Sequence, residues 1–264
     1  MLRALPMEVL GTFALCYVGG MSCVMADNGQ IGLDGVALAH GGILTLFVYI
    51  GADISGAHYN PAVSIGIFLL GKEPFIKMMM YGCAQLIGGI IAGAFISFNL
   101  STGFVTPMLK PGHSVLGYPN MNSADFDRWQ ALMAELVCTM LLCVGIFFAT
   151  ENWQHHPKRK GNFALCIGMI LTTCIYAVGN ISGGALNPAR MVGPMIVSGT
   201  VQTQTSPYIG GTLAGAIIAA FFYKTFLQFG KDDEKSSQLE GETPEQAFQR
   251  EQNLKEEYQK NRAA

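Results

Sequence analysis

Long apolar runs broken by short polar ones dominate residues 1–230. Six runs approach the roughly 20 residues that a helix needs to cross a bilayer. They lie near Met7–Ala26, Val36–Asp53, Phe75–Asn99, Trp129–Thr150, Phe163–Gly179 and Pro207–Phe229. Two further apolar stretches, Pro61–Gly71 and Pro188–Val197, have about half that length. The pattern predicts an all-α membrane protein with six transmembrane helices and two half-helices. The first run carries Glu8 and lacks a convincing cleavage site, so it is expected to be retained as a helix.

One tripeptide occurs twice in matching surroundings. Ser55-Gly56-Ala57-His58-Tyr59-Asn60-Pro61-Ala62 is echoed by Ser182-Gly183-Gly184-Ala185-Leu186-Asn187-Pro188-Ala189, at an offset of 187 − 60 = 127. The same offset carries Glu8 onto Glu135, Thr12 onto Thr139, Tyr49 onto Tyr176, Tyr81 onto Tyr208 and Gly88 onto Gly215. The chain therefore reads as a duplication, with repeat one over 1–127 and repeat two over 128–230. Each repeat crosses the membrane three times, so the second enters upside down. Inverted repeats of this kind place their sites near the bilayer midplane. The two Asn-Pro-Ala elements are expected to meet there from opposite faces.

Asn-Pro-Ala suits a helix start. Asn is a good N-cap, and proline fits the first helical position, where its missing N–H has no partner to lose. With their side-chain oxygens so occupied, the amide NH2 groups of Asn60 and Asn187 are free to face a shared space. The positive ends of two half-helices point there too, which disfavours cations. Irregular backbone at membrane depth is tolerated only against protein or a watery cavity.

Composition agrees with a membrane assignment. Half the residues are hydrophobic and 13% are charged, against about a quarter charged in soluble domains. The segment 231–264 holds nine of the 18 acids and reads as a charged cytosolic tail, largely disordered or a short helix. A net charge of −2 gives no reason to expect a nucleic-acid partner. Lys72, Lys77 and Lys158–Lys160 fall in loops on one side, and Asp27, Asp34, Asp125 and Asp127 on the other. That asymmetry predicts cytosolic termini, with vacuolar, other intracellular and plasma membranes all open. The seven cysteines sit within the predicted spans without zinc spacing and are expected to be packing residues. No metal cluster, nucleophile elbow or phosphate loop is present in the sequence, so neither an enzyme nor a cofactor is expected.

From Met7 to Phe229 the two motifs, Ser55 to Val63 and Ser182 to Arg190, make the chain resemble the aquaporin, or major intrinsic protein, family. The resemblance implies an aquaporin-like inverted repeat, a pore in each subunit, a homotetramer in the lipid bilayer, and water and small neutral solutes as permeants. It also implies pore motifs at Asn60, Pro61, Ala62, Asn187, Pro188 and Ala189. A selectivity filter is implied at His40, Ile175, Gly184 and Arg190, a set that looks like that of plant tonoplast intrinsic proteins. Such a filter fits a pore that also passes ammonia, or hydrogen peroxide or urea. His113 either joins an extended filter or is an exposed loop histidine. Met191 stands where glycerol-conducting members place Asp, which speaks against bulk glycerol transport. Residues 202–207 lack the aromatic pair that most members show before the last span. Glu8 and Glu135 are expected to be structural buried acids that accept hydrogen bonds from the half-helix loops. Two rival readings remain at this level: a junctional or scaffold protein with little conduction, and an alternating-access transporter.

Overall fold

A computed structural model of the chain describes residues 3–100, 115–121, 125–155, 162–199 and 205–227, and isolated positions 243, 245, 249 and 252 of the tail; for 151–155 it describes the backbone alone. His113, Ser236 and Ser237 lie outside these residues.

Among the described residues the chain forms the α-helices α1 (Ala4–Asp27), α2 (Leu33–Ser55), α3 (Pro61–Leu69), α4 (Phe75–Asn99), α5 (Arg128–His155), α6 (Phe163–Val178), α7 (Pro188–Ser198) and α8 (Thr205–Phe222). A π-helical turn, Tyr223–Leu227, continues α8, and no strand occurs among the described residues. Among the described residues, five helices are long and apolar enough to cross a membrane. The expected sixth span, α6, has 16 residues. At about 1.5 Å rise per residue it is shorter than the hydrocarbon core unless its flanking turns contribute. The two half-helices are α3, with 9 residues, and α7, with 11.

Many large apolar side chains point outward, among them Leu38, Leu46, Ile76, Phe95 and Phe221. Polar groups are instead buried: Glu8, Thr12, His40, Asn60, Gln85, Glu135, Asn187 and Arg190. This inversion suits lipid as the surrounding solvent.

The packing follows the duplication. α1 packs on α4 and on α2; α5 packs on α8 and on α6. α2 and α6 are equivalent elements and cross each other. Their crossing is close because Gly41 and Gly168 face one another, 127 residues apart. A Cβ on Gly41 would overlap Thr172 and the Gly168 carbonyl; one on Gly168 would overlap Thr45 and the Gly41 carbonyl. Small residues allow such backbone approach between membrane helices. The half-helices exchange partners: α3 lies against α8, and α7 against α4.

Candidate functional site

Each half-helix begins as its tripeptide dictates. Asn60 and Asn187 have extended backbone, and their side-chain oxygens accept from the second residue onward. Ala62 N donates to Asn60 Oδ1 at 3.0 Å, and Ala189 N to Asn187 Oδ1 at 2.9 Å. Arg190 N adds a longer bond of 3.4 Å to Asn187. The proline at the first helical position has no N–H to leave unpaired.

The amide groups reach across to the other repeat. Asn60 Nδ2 donates to the Leu186 carbonyl at 2.7 Å, and Asn187 Nδ2 to the Tyr59 carbonyl at 2.9 Å. One hydrogen of each NH2 is thus held by the opposite loop, and one remains for a third party. The two half-helix N-termini therefore meet head to head.

The loops that lead into these caps are strained at equivalent points. Ala57, Tyr59 and Leu186 have positive φ (53°, 50° and 51°), as do Gly56, Gly183 and Gly184. Left-handed backbone is costly for a residue with a side chain and persists where its surroundings hold it. Glu8 and Glu135 are those surroundings. Glu8 accepts from Ser55 Oγ (2.6 Å), His58 N (3.0 Å), Tyr59 N (2.7 Å) and Gln85 Nε2 (2.8 Å). Glu135 accepts from Ser182 Oγ (2.7 Å), Ala185 N and Leu186 N (both 2.8 Å). Tyr81 and Tyr208 close the loops by donating to the Ser55 and Ser182 carbonyls. The sequence pairs these tyrosines by offset but does not show what they hold.

The loop residues fill space differently in the two repeats. The Tyr59 ring lies against Gly11 and Gly51, where a Cβ on either glycine would overlap it, and its hydroxyl donates to the Phe47 carbonyl at 2.9 Å. At the equivalent places repeat two has Leu186, Cys138 and Val178, all buried. One large and two minimal side chains are exchanged for three of middling size, which conserves packing volume.

Arg190 is buried and tied at three corners. Its Nε donates to His40 Nε2 at 2.8 Å, Nη1 to the Gly184 carbonyl, and Nη2 to Cys23 Sγ at 3.7 Å. His40 Nδ1 lies 2.8 Å from the Val36 carbonyl and must donate to it. Nε2 is then the acceptor for Arg190, which settles the tautomer. Both ring nitrogens are engaged within the protein, so His40 presents a ring to the lumen. Cys23 is a further departure: expected to be a packing residue, it touches the buried guanidinium.

A cavity of about 530 Å³ runs past this machinery. His40, Asn60, Asn187 and Arg190 line it, and at its other end it meets Asp53, Lys72, Glu73 and Lys77. Ile175 and Gly184 are not in its wall. They pack on each other instead, a Cβ on Gly184 falling 3.3 Å from Ile175. No group of three metal-ligating side chains occurs among the described residues.

A helical membrane bundle whose two half-helices meet on a polar cavity has the build of a channel. The family model of the major intrinsic proteins matches residues 1–223. Aquaporin A of Dictyostelium discoideum is 34% identical over 226 residues, covering 84% of this chain and 77% of that protein. Aquaporin AqpM of Methanothermobacter marburgensis is 33% identical over 241 residues (82% and 94%), and Aquaporin TIP2-3 of Arabidopsis thaliana 31% over 239 (85% and 89%). The aquaglyceroporin structure from Plasmodium falciparum superposes with a TM-score of 0.73 at 23% identity, covering 86% of this chain and 96% of that one, a likeness of fold. The chain belongs to the major intrinsic protein family: it is a membrane channel and not an enzyme.

Proposed function

We propose that this channel conducts water passively and in single file, excludes protons, and also passes a small neutral solute such as ammonia, hydrogen peroxide or urea. The observation that carries the reading is the crosswise pair of bonds between Asn60 and the Leu186 carbonyl and between Asn187 and the Tyr59 carbonyl. It leaves one N–H on each amide to orient a permeating oxygen, at a point where two helix N-termini repel positive charge. Arg190 adds a permanent charge that opposes cations while offering donors to neutral molecules. His40 and Arg190 narrow the lumen on one side of the motifs, with Ile175 and Gly184 shaping the filter from behind. Gly184 acts through its carbonyl, which holds Arg190 in place.

Residues 1–127 and 128–230 form the two inverted repeats, and 231–264 a cytosolic tail. The subunits assemble as a homotetramer with both termini in the cytosol. The filter supports a likeness to the tonoplast group, although relatives of several aquaporin types match at 30–34% identity.

Stopped-flow shrinkage of proteoliposomes under an osmotic step tests the reading. Wild-type vesicles should shrink several times faster than protein-free ones, with internal pH steady under a proton gradient. Vesicles no faster than the protein-free control would remove the channel reading and favour a junctional role.

A further inference from the structure

The two repeats depart from one another beside α3 and α4, where His58 and Glu73 line the cavity. There repeat one has His58, Ser64 and Gln85, where the same offset gives Ala185, Met191 and Thr212 in repeat two. The three polar side chains form a chain with a fourth group from the α3–α4 connection. Gln85 Nε2 donates to Ser64 Oγ at 3.0 Å, and Ser64 Oγ lies 3.0 Å from His58 Nδ1. His58 Nε2 is 3.7 Å from Glu73 Oε1, which Lys77 Nζ also meets. Ser64 accepts from Gln85, so its own proton is free for His58 Nδ1. The ring proton then sits on Nε2, facing Glu73.

Glu73 uses only one of its two oxygens. Oε2 is buried and accepts no hydrogen bond from any described residue. Buried carboxylate oxygens without a donor are rare, because a charged acceptor left unpaired is expensive. Glu73 and Lys77 both line the cavity. Lys77 is further positioned over the Tyr81 ring, 5.0 Å from its centroid, so the pair is held from both ends. Further along the lumen the side chains of Asn60, Asn187 and Arg190 offer donors. The mouth offers an acceptor.

We propose that Glu73, held by Lys77 and flanked by His58, is a binding station for neutral solutes that carry N–H donors, such as urea and ammonia, at the α3–α4 mouth. The inference rests on the channel reading above and names the solute class that its inner end selects. Water needs no such station, because it donates and accepts equally. A solute rich in N–H gains at Glu73 a carboxylate partner that the side chains of Asn60, Asn187 and Arg190 do not provide.

The test compares wild type, Glu73→Gln and Glu73→Asp in proteoliposomes, with urea and ammonia permeability each measured against water permeability in the same preparation. Glu73→Gln should lower both ratios about threefold or more, the effect of weakening one hydrogen bond to a charged acceptor. Glu73→Asp should fall between. Unchanged ratios overturn the station, as does a Glu73→Gln protein that no longer folds, which would make Glu73 a structural residue. Wild-type vesicles that pass water but neither solute also overturn it and leave the water channel standing. Wild-type vesicles that pass no water overturn the channel reading itself.

Discussion

Arg190 shows how much work one side chain does when each of its corners has a different owner. His40 from α2, the Gly184 carbonyl from the second loop and Cys23 from α1 hold its three nitrogens. Lysine keeps the charge but not the fork, and valine removes both. Arg190→Val should raise proton leak into proteoliposomes about tenfold or more, since one unit charge a few Å from the file is worth several kcal/mol at intermediate dielectric. Arg190→Lys should keep the proton barrier while altering the ratio of solute to water flux. Both are read with a pH-sensitive dye and stopped-flow scattering. If Arg190→Val left proton flux at the wild-type level, the charge would not be the barrier.

At the scale of elements, the α2–α6 crossing sets how closely the repeats can approach. Gly168→Leu places a branched side chain where Thr45 and the Gly41 carbonyl already stand. Overpacking costs about 1–3 kcal/mol in ordinary cores and more where the clash is with backbone. The variant should melt at lower temperature in detergent, by fluorescence-detected unfolding, or fail to accumulate; an unshifted transition would mean that the helices can separate freely. The helices and their order were legible from hydrophobic run length. Glu8 and Glu135 were legible because an acid in an apolar run is conspicuous and its twin stands 127 residues on. Cys23, Glu73 and Gln85 were not legible. Their partners lie on other elements, and no spacing along the chain encodes a contact made by packing. The expected span Phe163–Gly179 and α6 (Phe163–Val178) differ by one residue, and hydrogen-bonded turns at Ser182 and Gly183 carry the chain on from its end.

For the whole molecule, the homotetramer is a proposal that the outward apolar surface accommodates. That surface is apolar enough to sit in lipid or against a second copy. In mild detergent, size-exclusion chromatography with light scattering should give a protein mass of four chains, and water conduction should persist because each subunit carries its own cavity. A monomeric mass at conducting concentration would remove the tetramer and leave the pore.

The exchange of partners between half-helices also has a consequence for biogenesis. Asn60, the cap of α3, donates to a carbonyl synthesised 126 residues later, and α3 rests on α8. The ribosome therefore delivers the first motif long before anything can receive it. Until the second loop and α8 enter the bilayer, α3 lacks first the acceptor for Asn60 from the other repeat and then its packing partner. Inherited lesions far downstream, even in α8, would thus be felt first as trapped, immature chains and only afterwards as a faulty lumen.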